Sequence, residues 1–393
     1  MYNLLRKLLA DNFSKFVDLV ENSNSKLDLN EQDDDGKTLL MFAAELGRID
    51  ALDFLIQKGC DISIVCKSDM NCIHYSLLGD NENAENVLRR LIIYNADFSQ
   101  RSVNGTPLSL ATKSGLNGCV SLIIKYFPGL VNSEPLIYYA IQTKHFDLAR
   151  KLIEIDEIDV DLRAGQRQQT ALHLAAAMSE VELVTALLKK SKVNIEDDTG
   201  KTCLHLAAEN GVFKIIKRLV DAGLDVNKQD STLWKFTPLH QASQRGFVET
   251  VEELLENGAN VDVLDGDNRT PLILAIIACQ PLTALRLVQE GCNVNACVSG
   301  TIMNISDKPV HALDLARALQ FEPIVDLLVE AGATSVFRQV VPTLLCLSAN
   351  KLRQALKPKV RKKINLQPLP YPIKRKLLFY DLHSAFKTIE HEP

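Results

Sequence analysis

One short motif recurs along this chain, and it limits the possible folds more than any other feature. The motif reads TALHLAA at residues 170–176, TCLHLAA at residues 202–208 and TPLHQA at residues 237–242. The copies begin 32 and 35 residues apart. A repeated unit of this length cannot bury its own apolar face, so its copies must stack into an elongated array. Weaker copies extend the series to nine aligned aliphatic positions, 28 to 41 residues apart: Leu40, Ile73, Leu108, Leu136, Leu172, Leu204, Leu239, Leu272 and Leu313.

Each residue type in the motif has a structural explanation. The threonine caps a helix by offering its hydroxyl to an unpaired backbone N–H, and a proline in the first helical turn loses no hydrogen bond. The leucine and the small alanines are core residues. We interpret His173, His205 and His240 as packing residues that bond backbone between repeats, not as catalytic bases or metal ligands, because they hold a fixed place in the repeat.

A period near 33 residues with a T-P-L-H-x-A core resembles the ankyrin repeat. The resemblance covers roughly residues 35–335, about nine repeats, and its motifs are degenerate in several copies. The fourth copy, at residues 134–140, is short and irregular. The resemblance implies an all-α ankyrin-repeat solenoid, and Gly211 is expected to end a first helix in the left-handed conformation. Residues 1–34 read as two helices of an N-terminal cap.

Composition favours a soluble protein inside the cell. Hydrophobic residues make up 46% of the chain and charged residues 24%, and no apolar stretch approaches the roughly 20 residues of a membrane span. The nine cysteines are scattered without a CxxC pair, so we interpret them as reduced core thiols of a cytoplasmic or nuclear protein. Cys66, Cys72 and His74 fit no zinc-binding spacing, and neither a metal nor a cofactor is expected.

The carboxyl end differs from the repeats in charge and pattern. Residues 351–393 hold 11 Lys and Arg against 3 Asp and Glu, whereas residues 1–350 hold 33 against 46. After the last repeat, four residues recur every fourth position, which predicts an amphipathic helix whose stripe must be buried: Leu344, Ser348, Leu352 and Leu356. An extended segment with Pro368, Leu369 and Pro370 follows, and then a second short helix, roughly at residues 373–380.

The order of these motifs resembles a SOCS box, and the whole chain resembles the ankyrin-repeat and SOCS-box family. The resemblance implies four segments: a cap at residues 1–34, ankyrin repeats at 35–337, a SOCS box at 338–383 and a tail at 384–393. In that family the first SOCS helix lies in a groove of elongin C, which pairs with elongin B. The Pro-Leu-Pro segment corresponds to a motif that recruits cullin five and its RING protein.

These features predict a non-catalytic, substrate-recognition adaptor of an elongin B/C–cullin–RING ubiquitin ligase, with the repeats binding an unknown protein substrate. Ser348 stands where the family more often has Cys, and Gln367 where it has Leu. An ankyrin scaffold or inhibitor with a degenerate SOCS box therefore remains the alternative. A basic run at residues 357–363 is interpreted as a solvated connector, ahead of a nuclear-localisation or nucleic-acid-binding segment.

Two further residues stand out in the turns between repeats. Trp234 is the only tryptophan and precedes Thr237. At the tip of an ankyrin turn it would be a binding hot spot, and the alternative is that it packs over the neighbouring turn. Asn227 occupies a position that can be hydroxylated in ankyrin proteins, but an asparagine is also an ordinary turn residue there.

Overall fold

The computed structural model describes residues 2–22, 27–78, 83–298 and 309–334. Over these ranges, α-helices of six to ten residues follow one another in pairs. The chain divides into two compact units, Met1–Ala164 and Gly165–Pro393. The ankyrin-type helical architecture predicted from the repeat is confirmed. The predicted SOCS box and tail lie outside the described residues.

The first unit contains ten helices among its described residues. Two N-terminal helices occur where the sequence predicts a cap, and a single 3-10 turn, Pro128–Leu130, follows α8. The helices are α1 (Tyr2–Asp11), α2 (Phe13–Asn22), α3 (Leu39–Glu45), α4 (Ile49–Gln57), α5 (Cys72–Leu78), α6 (Ala84–Ile93), α7 (Pro107–Lys113), α8 (Asn117–Tyr126), α9 (Leu136–Gln142) and α10 (Phe146–Glu154).

The second unit repeats the arrangement. A 3-10 turn, Phe213–Ile215, leads into α14. Its helices are α11 (Ala171–Ala177), α12 (Val181–Leu187), α13 (Cys203–Glu209), α14 (Ile216–Asp221), α15 (Pro238–Arg245), α16 (Val248–Glu256), α17 (Pro271–Ile277), α18 (Pro281–Gln289), α19 (Ala312–Ala318) and α20 (Glu322–Glu330).

Within each unit, the first helices of successive repeats pack against one another and form an inner row. In the first unit this row runs α3, α5, α7, α9, and in the second it runs α11, α13, α15, α17, α19. The second helices form an outer row. The nine aliphatic positions aligned from the sequence all lie on inner helices and are at most 2% exposed. The predicted core of the repeats is therefore confirmed.

The inner helices begin and end as the sequence predicts. The hydroxyl oxygens of Thr106 and Thr270 accept the backbone N–H groups of Ser109 and Ile273, each three residues on. Prolines occupy the first turns of α7, α15 and α17 without loss of a hydrogen bond. Gly211 follows α13 with a φ of 74°, so its predicted left-handed conformation is confirmed.

The turn that precedes an inner helix is called a finger here. Successive fingers are joined by backbone hydrogen bonds, for example from Lys67 N to Asp35 O at 3.1 Å and from Ser231 N to Thr199 O at 2.9 Å. The all-α prediction omitted one short antiparallel ladder, in which Cys297–Val298 (β1) pairs with Val310–His311 (β2). Backbone pairing satisfies the polar groups of these four residues.

Most of the cysteines lie in the core. Cys60, Cys66, Cys72, Cys119, Cys203 and Cys292 are buried, and none of the cysteines in the described ranges forms a disulfide. Burial raises the pKa of the Cys203 thiol to about 12, which keeps it protonated. Cys297 is exposed, so its interpretation as a core thiol is wrong. On β1 the Val298 side chain is buried and the Cys297 side chain is left in solvent.

Candidate protein-binding surface

The histidines of the repeat link neighbouring repeats, as the sequence predicts. In His205, Nδ1 accepts the Thr202 backbone N–H at 3.1 Å, so Nε2 carries the proton and donates to the Phe236 carbonyl at 3.1 Å. His173 and His240 make the same bonds, to the carbonyls of Lys201 and Arg269. Burial lowers the pKa of His205 to about 4. A neutral, fully bonded ring of this kind is structural, and offers no base or ligand to a substrate.

The finger before α15 is longer than its neighbours. Seven positions separate Asp230 from Thr237, whereas five separate Asp197 from Thr202 in the preceding finger. The Asp230 carboxylate accepts hydrogen bonds from the Thr232 hydroxyl at 2.7 Å and from the Phe236 backbone N–H at 3.1 Å. One carboxylate thus closes the base of the enlarged finger, and the two extra residues are displayed at its tip.

Trp234 packs over the neighbouring turn, one of the two alternatives that the sequence left open, and it also stays half exposed. Its ring stacks on Phe236 with 6.4 Å between the ring centroids, and the guanidinium carbon of Arg269, in the next finger, lies 4.8 Å from the ring centroid. The side chain is nevertheless 48% exposed. One face of the indole is therefore held in place while the rest is presented to solvent. Fixed, half-exposed tryptophans are favourable anchors for a protein partner, because little side-chain entropy remains to be lost on binding.

Leu233, which the sequence analysis did not single out, is the most exposed large apolar residue described, at 93%. Together Leu233 and Trp234 form what we call the apolar tip. The exposure of Leu233 could have been predicted from the two extra residues between Asp230 and Thr237, because extra residues in a tight turn must project outward. The conformation of the finger keeps Leu233 exposed to water. Covering it with a partner would lower the free energy and so favour binding.

Arg269 anchors the apolar tip from the neighbouring finger. It is 8% exposed, its Nε donates to the Asp265 carboxylate at 2.7 Å, and its Nη2 lies 3.3 Å from the Asp267 carboxylate. The Gly266 N–H also donates to the Trp234 carbonyl at 2.6 Å. The tip of this finger in the second unit is thus held by a guanidinium stack and a backbone hydrogen bond.

A cleft on the inner helices of the second unit adds charged groups to this surface. It has a volume of about 460 Å³, with Leu206 and Phe247 providing apolar contacts. Arg245 lies 3.5 Å from Glu209 at this cleft, and Arg167 lines its rim. A concave, mixed apolar and charged surface next to projecting fingers suits a protein ligand better than a small substrate.

In the first unit, Glu134 takes over the hydrogen-bond acceptor role that a histidine has in other repeats. Copy three has Ser109 at the histidine position, and the Ser109 hydroxyl only bonds back to the Thr106 carbonyl at 3.0 Å. The Thr106 backbone N–H, which a histidine would accept, donates instead to Glu134 Oε1 at 3.0 Å. Glu134 reaches back from the short fourth copy and is 3% exposed. The sequence analysis missed this exchange, because a glutamate in a degenerate copy carries no local signal.

The structure does not test the predicted SOCS-box sites, and it describes the surroundings of Asn227. The proposed elongin-binding residues Leu344, Ser348, Leu352 and Leu356 and the proposed cullin-binding residues Pro368, Leu369 and Pro370 lie outside the described residues. The Asn227 side chain accepts the Asn260 N–H at 2.7 Å and donates to the Gly258 carbonyl at 3.2 Å, so it has a structural role between turns.

The described ranges also bear on metal binding and membrane insertion. Within residues 2–22, 27–78, 83–298 and 309–334, His, Cys, Asp and Glu side chains form no group of three or more that could hold a metal ion. Over that part of the chain, every helix is too short or too polar to cross a lipid bilayer.

Comparison with known proteins identifies the repeats independently of the geometry. The family described as ankyrin repeats (three copies) matches residues 7–98, 157–230 and 215–297, which together make up more than half of the chain. The first match begins inside the predicted N-terminal cap, so α1 and α2 resemble part of a repeat.

Several curated proteins share this similarity. The chain is 28% identical to inversin from Canis lupus familiaris over 246 residues, which is 61% of this chain and 20% of inversin. It is 27% identical to rabankyrin-5 from Mus musculus, over 55% of this chain and 20% of that protein. Alpha-latrotoxin-Lh1a from Latrodectus hasselti is 35% identical over 28% of this chain and 8% of the toxin. The chain thus spans a fifth or less of the length of each of these relatives.

Proposed function

This chain belongs to the ankyrin-repeat family, and on that premise we propose that it recognises another protein through its fingers and inner helices. The observation that carries this proposal is the apolar tip, in which Leu233 is 93% and Trp234 48% exposed on a finger held by the Arg269 guanidinium. An apolar projection of this kind is costly in water and is explained by a partner that covers it. Fold alone does not identify that partner.

The finer proposal is that the chain is the substrate-recognition subunit of an elongin B/C–cullin–RING ubiquitin ligase. It is supported by the order of sequence motifs after the repeats: the four-residue periodicity from Leu344 to Leu356, and then Pro368, Leu369 and Pro370. Helix-in-groove recognition uses anchors at such spacing. In this proposal the chain acts by bringing the substrate close to the recruited RING protein and its ubiquitin-conjugating enzyme, and does no chemistry itself. Its place of action would be the cytoplasm, and also the nucleus.

Co-expression with elongins B and C tests the adaptor proposal directly. Wild-type chain should co-purify with both elongins, and the double variant Leu344→Asp/Leu352→Asp should not. Burial of each leucine contributes about 1.5–3 kcal/mol, so loss of both weakens binding by about two orders of magnitude or more. The matched control is Leu233→Asp, a leucine-to-aspartate change on the finger tip. It should leave elongin binding intact.

Failure of folded wild-type chain to bind the elongins would reject the ligase proposal and favour the alternative, a non-catalytic ankyrin scaffold or inhibitor. Ser348 and Gln367, where this sequence departs from the SOCS-box pattern, are the observations that favour that alternative. Cullin five recruitment is tested separately with Pro368→Ala/Pro370→Ala. That variant should keep elongin binding and lose cullin binding. Retention of cullin by this variant would remove these prolines from the proposed interface.

A further inference from the structure

The first unit lacks one finger. Between α4 and α5 the chain has fourteen residues, but between α8 and α9 it has nine, and three of these form the 3-10 turn Pro128–Leu130. The remaining residues are too few to build a projecting turn. The interval from Leu108 to Leu136 is correspondingly 28 residues, short of the usual period near 33. The finger that precedes α7 therefore has no following finger within the first unit.

The missing finger leaves an open cleft of about 450 Å³ beside the finger that precedes α7. We call this space the vacant-finger cleft. Its apolar lining includes Val103, which is 73% exposed, together with Leu110 and Tyr139. Two cations, Arg101 and Lys113, lie on the same lining. The cleft thus combines apolar side chains with polar groups and two cations.

A backbone carbonyl beside the cleft shows what the missing finger would have bonded. Where fingers succeed one another, a tip carbonyl accepts the next finger's N–H, as the Ser68 carbonyl accepts from Val103 at 3.4 Å. The corresponding carbonyl of the next finger, three residues before Thr106, is that of Val103, which lines the cleft. One residue further on, the Asn104 carbonyl accepts the Lys113 ammonium at 3.0 Å, and Lys113 also lies 4.2 Å from the centroid of the Tyr139 ring. Val103 is thus the residue to which a following finger would pair.

The carboxylate of Glu134 supplies a second, independent observation. Its side chain is 2% exposed, and Oε1 is engaged by the Thr106 N–H. Oε2 is buried and has no hydrogen-bond partner among the described residues. Arg101 Nη2 lies 3.9 Å from Oε1. A buried carboxylate oxygen without a donor is costly, and a ligand that brings an N–H group removes that cost.

We infer that the vacant-finger cleft binds an extended segment of a partner protein, which takes the place of the absent finger. The segment places an apolar side chain against Val103 and Tyr139 and directs an N–H donor, from its backbone or from a carboxamide, to Glu134 Oε2. Arg101 and Lys113 repel lysine and arginine, so the segment is neutral or acidic. Addition of an extended strand beside an existing one is an established mode of peptide recognition. The inference rests on the proposed function only in assigning partner binding to the ankyrin repeats.

The test uses the full chain and a phage-displayed library of random peptides as the probe. Peptides selected on the wild-type chain are synthesised, and their dissociation constants are measured for the wild type and for three variants. Glu134→Gln keeps an oxygen for the Thr106 N–H but can place an NH2 group at the position of Oε2, so it should weaken binding by about tenfold or more without changing the shape of the cleft. Val103→Asp should weaken binding to a similar degree.

The matched control is Ile93→Asp, which changes a residue that is 66% exposed on the outer helix α6. It should bind the peptides as the wild type does. Thermal unfolding of each variant verifies that it is folded. Selection of no peptides, selection of peptides rich in lysine and arginine, or equal affinity of the wild type, Glu134→Gln and Val103→Asp would each overturn the inference. Elongin co-purification with the same variants is a separate readout, so failure here is distinguishable from failure of the ligase proposal.

Discussion

At the scale of single residues, the repeat depends on a small set of buried polar bonds. Each histidine of the motif accepts a threonine N–H in its own repeat and donates to a backbone carbonyl of the next, as His240 does to Arg269 at 3.1 Å. Such bonds stabilise the array only while the ring is neutral. A protonated ring would lose its acceptor and leave a buried charge unpaired.

Acid should therefore weaken the protein through these histidines. The pKa of His205 is about 4 in the folded chain and near 6.5 when the residue is exposed, so the unfolded state takes up protons first. Its contribution is fully present above pH 6.5 and is lost as the pH falls from 6.5 towards 4. Urea unfolding at pH 7.5 and pH 5.0 should show a lower free energy of unfolding at pH 5.0.

His205→Gln provides the comparison for this pH effect. Glutamine retains one donor and one acceptor but does not titrate, so the difference in unfolding free energy between the two pH values should shrink. The residual pH dependence belongs to groups such as His240 and His74, whose pKa values are also lowered by burial. An unchanged pH dependence in His205→Gln would show that His205 is not the group that titrates.

At the scale of elements, the conformation of each finger is fixed by contacts with the neighbouring finger. Arg269 stacks on Trp234 from the next finger and is itself bonded to Asp265. Because Trp234 is the only tryptophan, its fluorescence reports on this one finger.

Arg269→Ala should increase acrylamide quenching of Trp234 emission, because the covered face of the indole becomes accessible. It should also lower the free energy of unfolding by about 1–3 kcal/mol, since the buried Asp265 carboxylate loses a charged donor. Arg245→Ala is the control, because that arginine is 58% exposed and pairs with Glu209. Equal quenching in both variants would mean that Arg269 does not hold the indole.

The sequence predicts these elements well where the repeat is regular and poorly where it is not. The threonine and proline at a helix start, and the glycine at its end, act locally, so their roles at Thr106, Pro107 and Gly211 follow from the motif. The contact of Arg269 with Trp234 joins residues in different fingers, and no local pattern encodes it. The bond from Thr106 to Glu134 also joins different repeats, so no local pattern predicts it. The pairing of β1 with β2 joins Val298 to Val310 and Cys297 to His311, which are distant along the chain, and residue type alone does not specify it.

At the scale of the whole molecule, the described repeats of each unit pack mainly against their neighbours along the chain. In the second unit the main contacts of the inner helix α17 within its row are with α15 and α19. Stability in such arrays is approximately a sum of repeat and nearest-neighbour terms. A substitution that destabilises one repeat should therefore destabilise that repeat and its immediate neighbours.

Leu272→Ala tests this expectation with hydrogen exchange. Leu272 is fully buried in α17, and its truncation should cost about 2–5 kcal/mol. Amide exchange should accelerate in α15, α17 and α19 and remain unchanged in α3 and α5 of the first unit. Uniform acceleration along both units would indicate that the array unfolds as one cooperative body.

The bond between Thr106 and Glu134 limits how these repeats can be duplicated in evolution or grafted into another array. A copy that carries the usual histidine donates to a backbone carbonyl, which any adjoining copy provides, so such copies can be duplicated, deleted or reordered with their junctions preserved. Copy three, with Ser109, depends on a side chain that only copy four supplies. Copies three and four therefore form one module: copy three grafted alone leaves the Thr106 N–H without its acceptor, and copy four grafted alone leaves the Glu134 carboxylate without its donor.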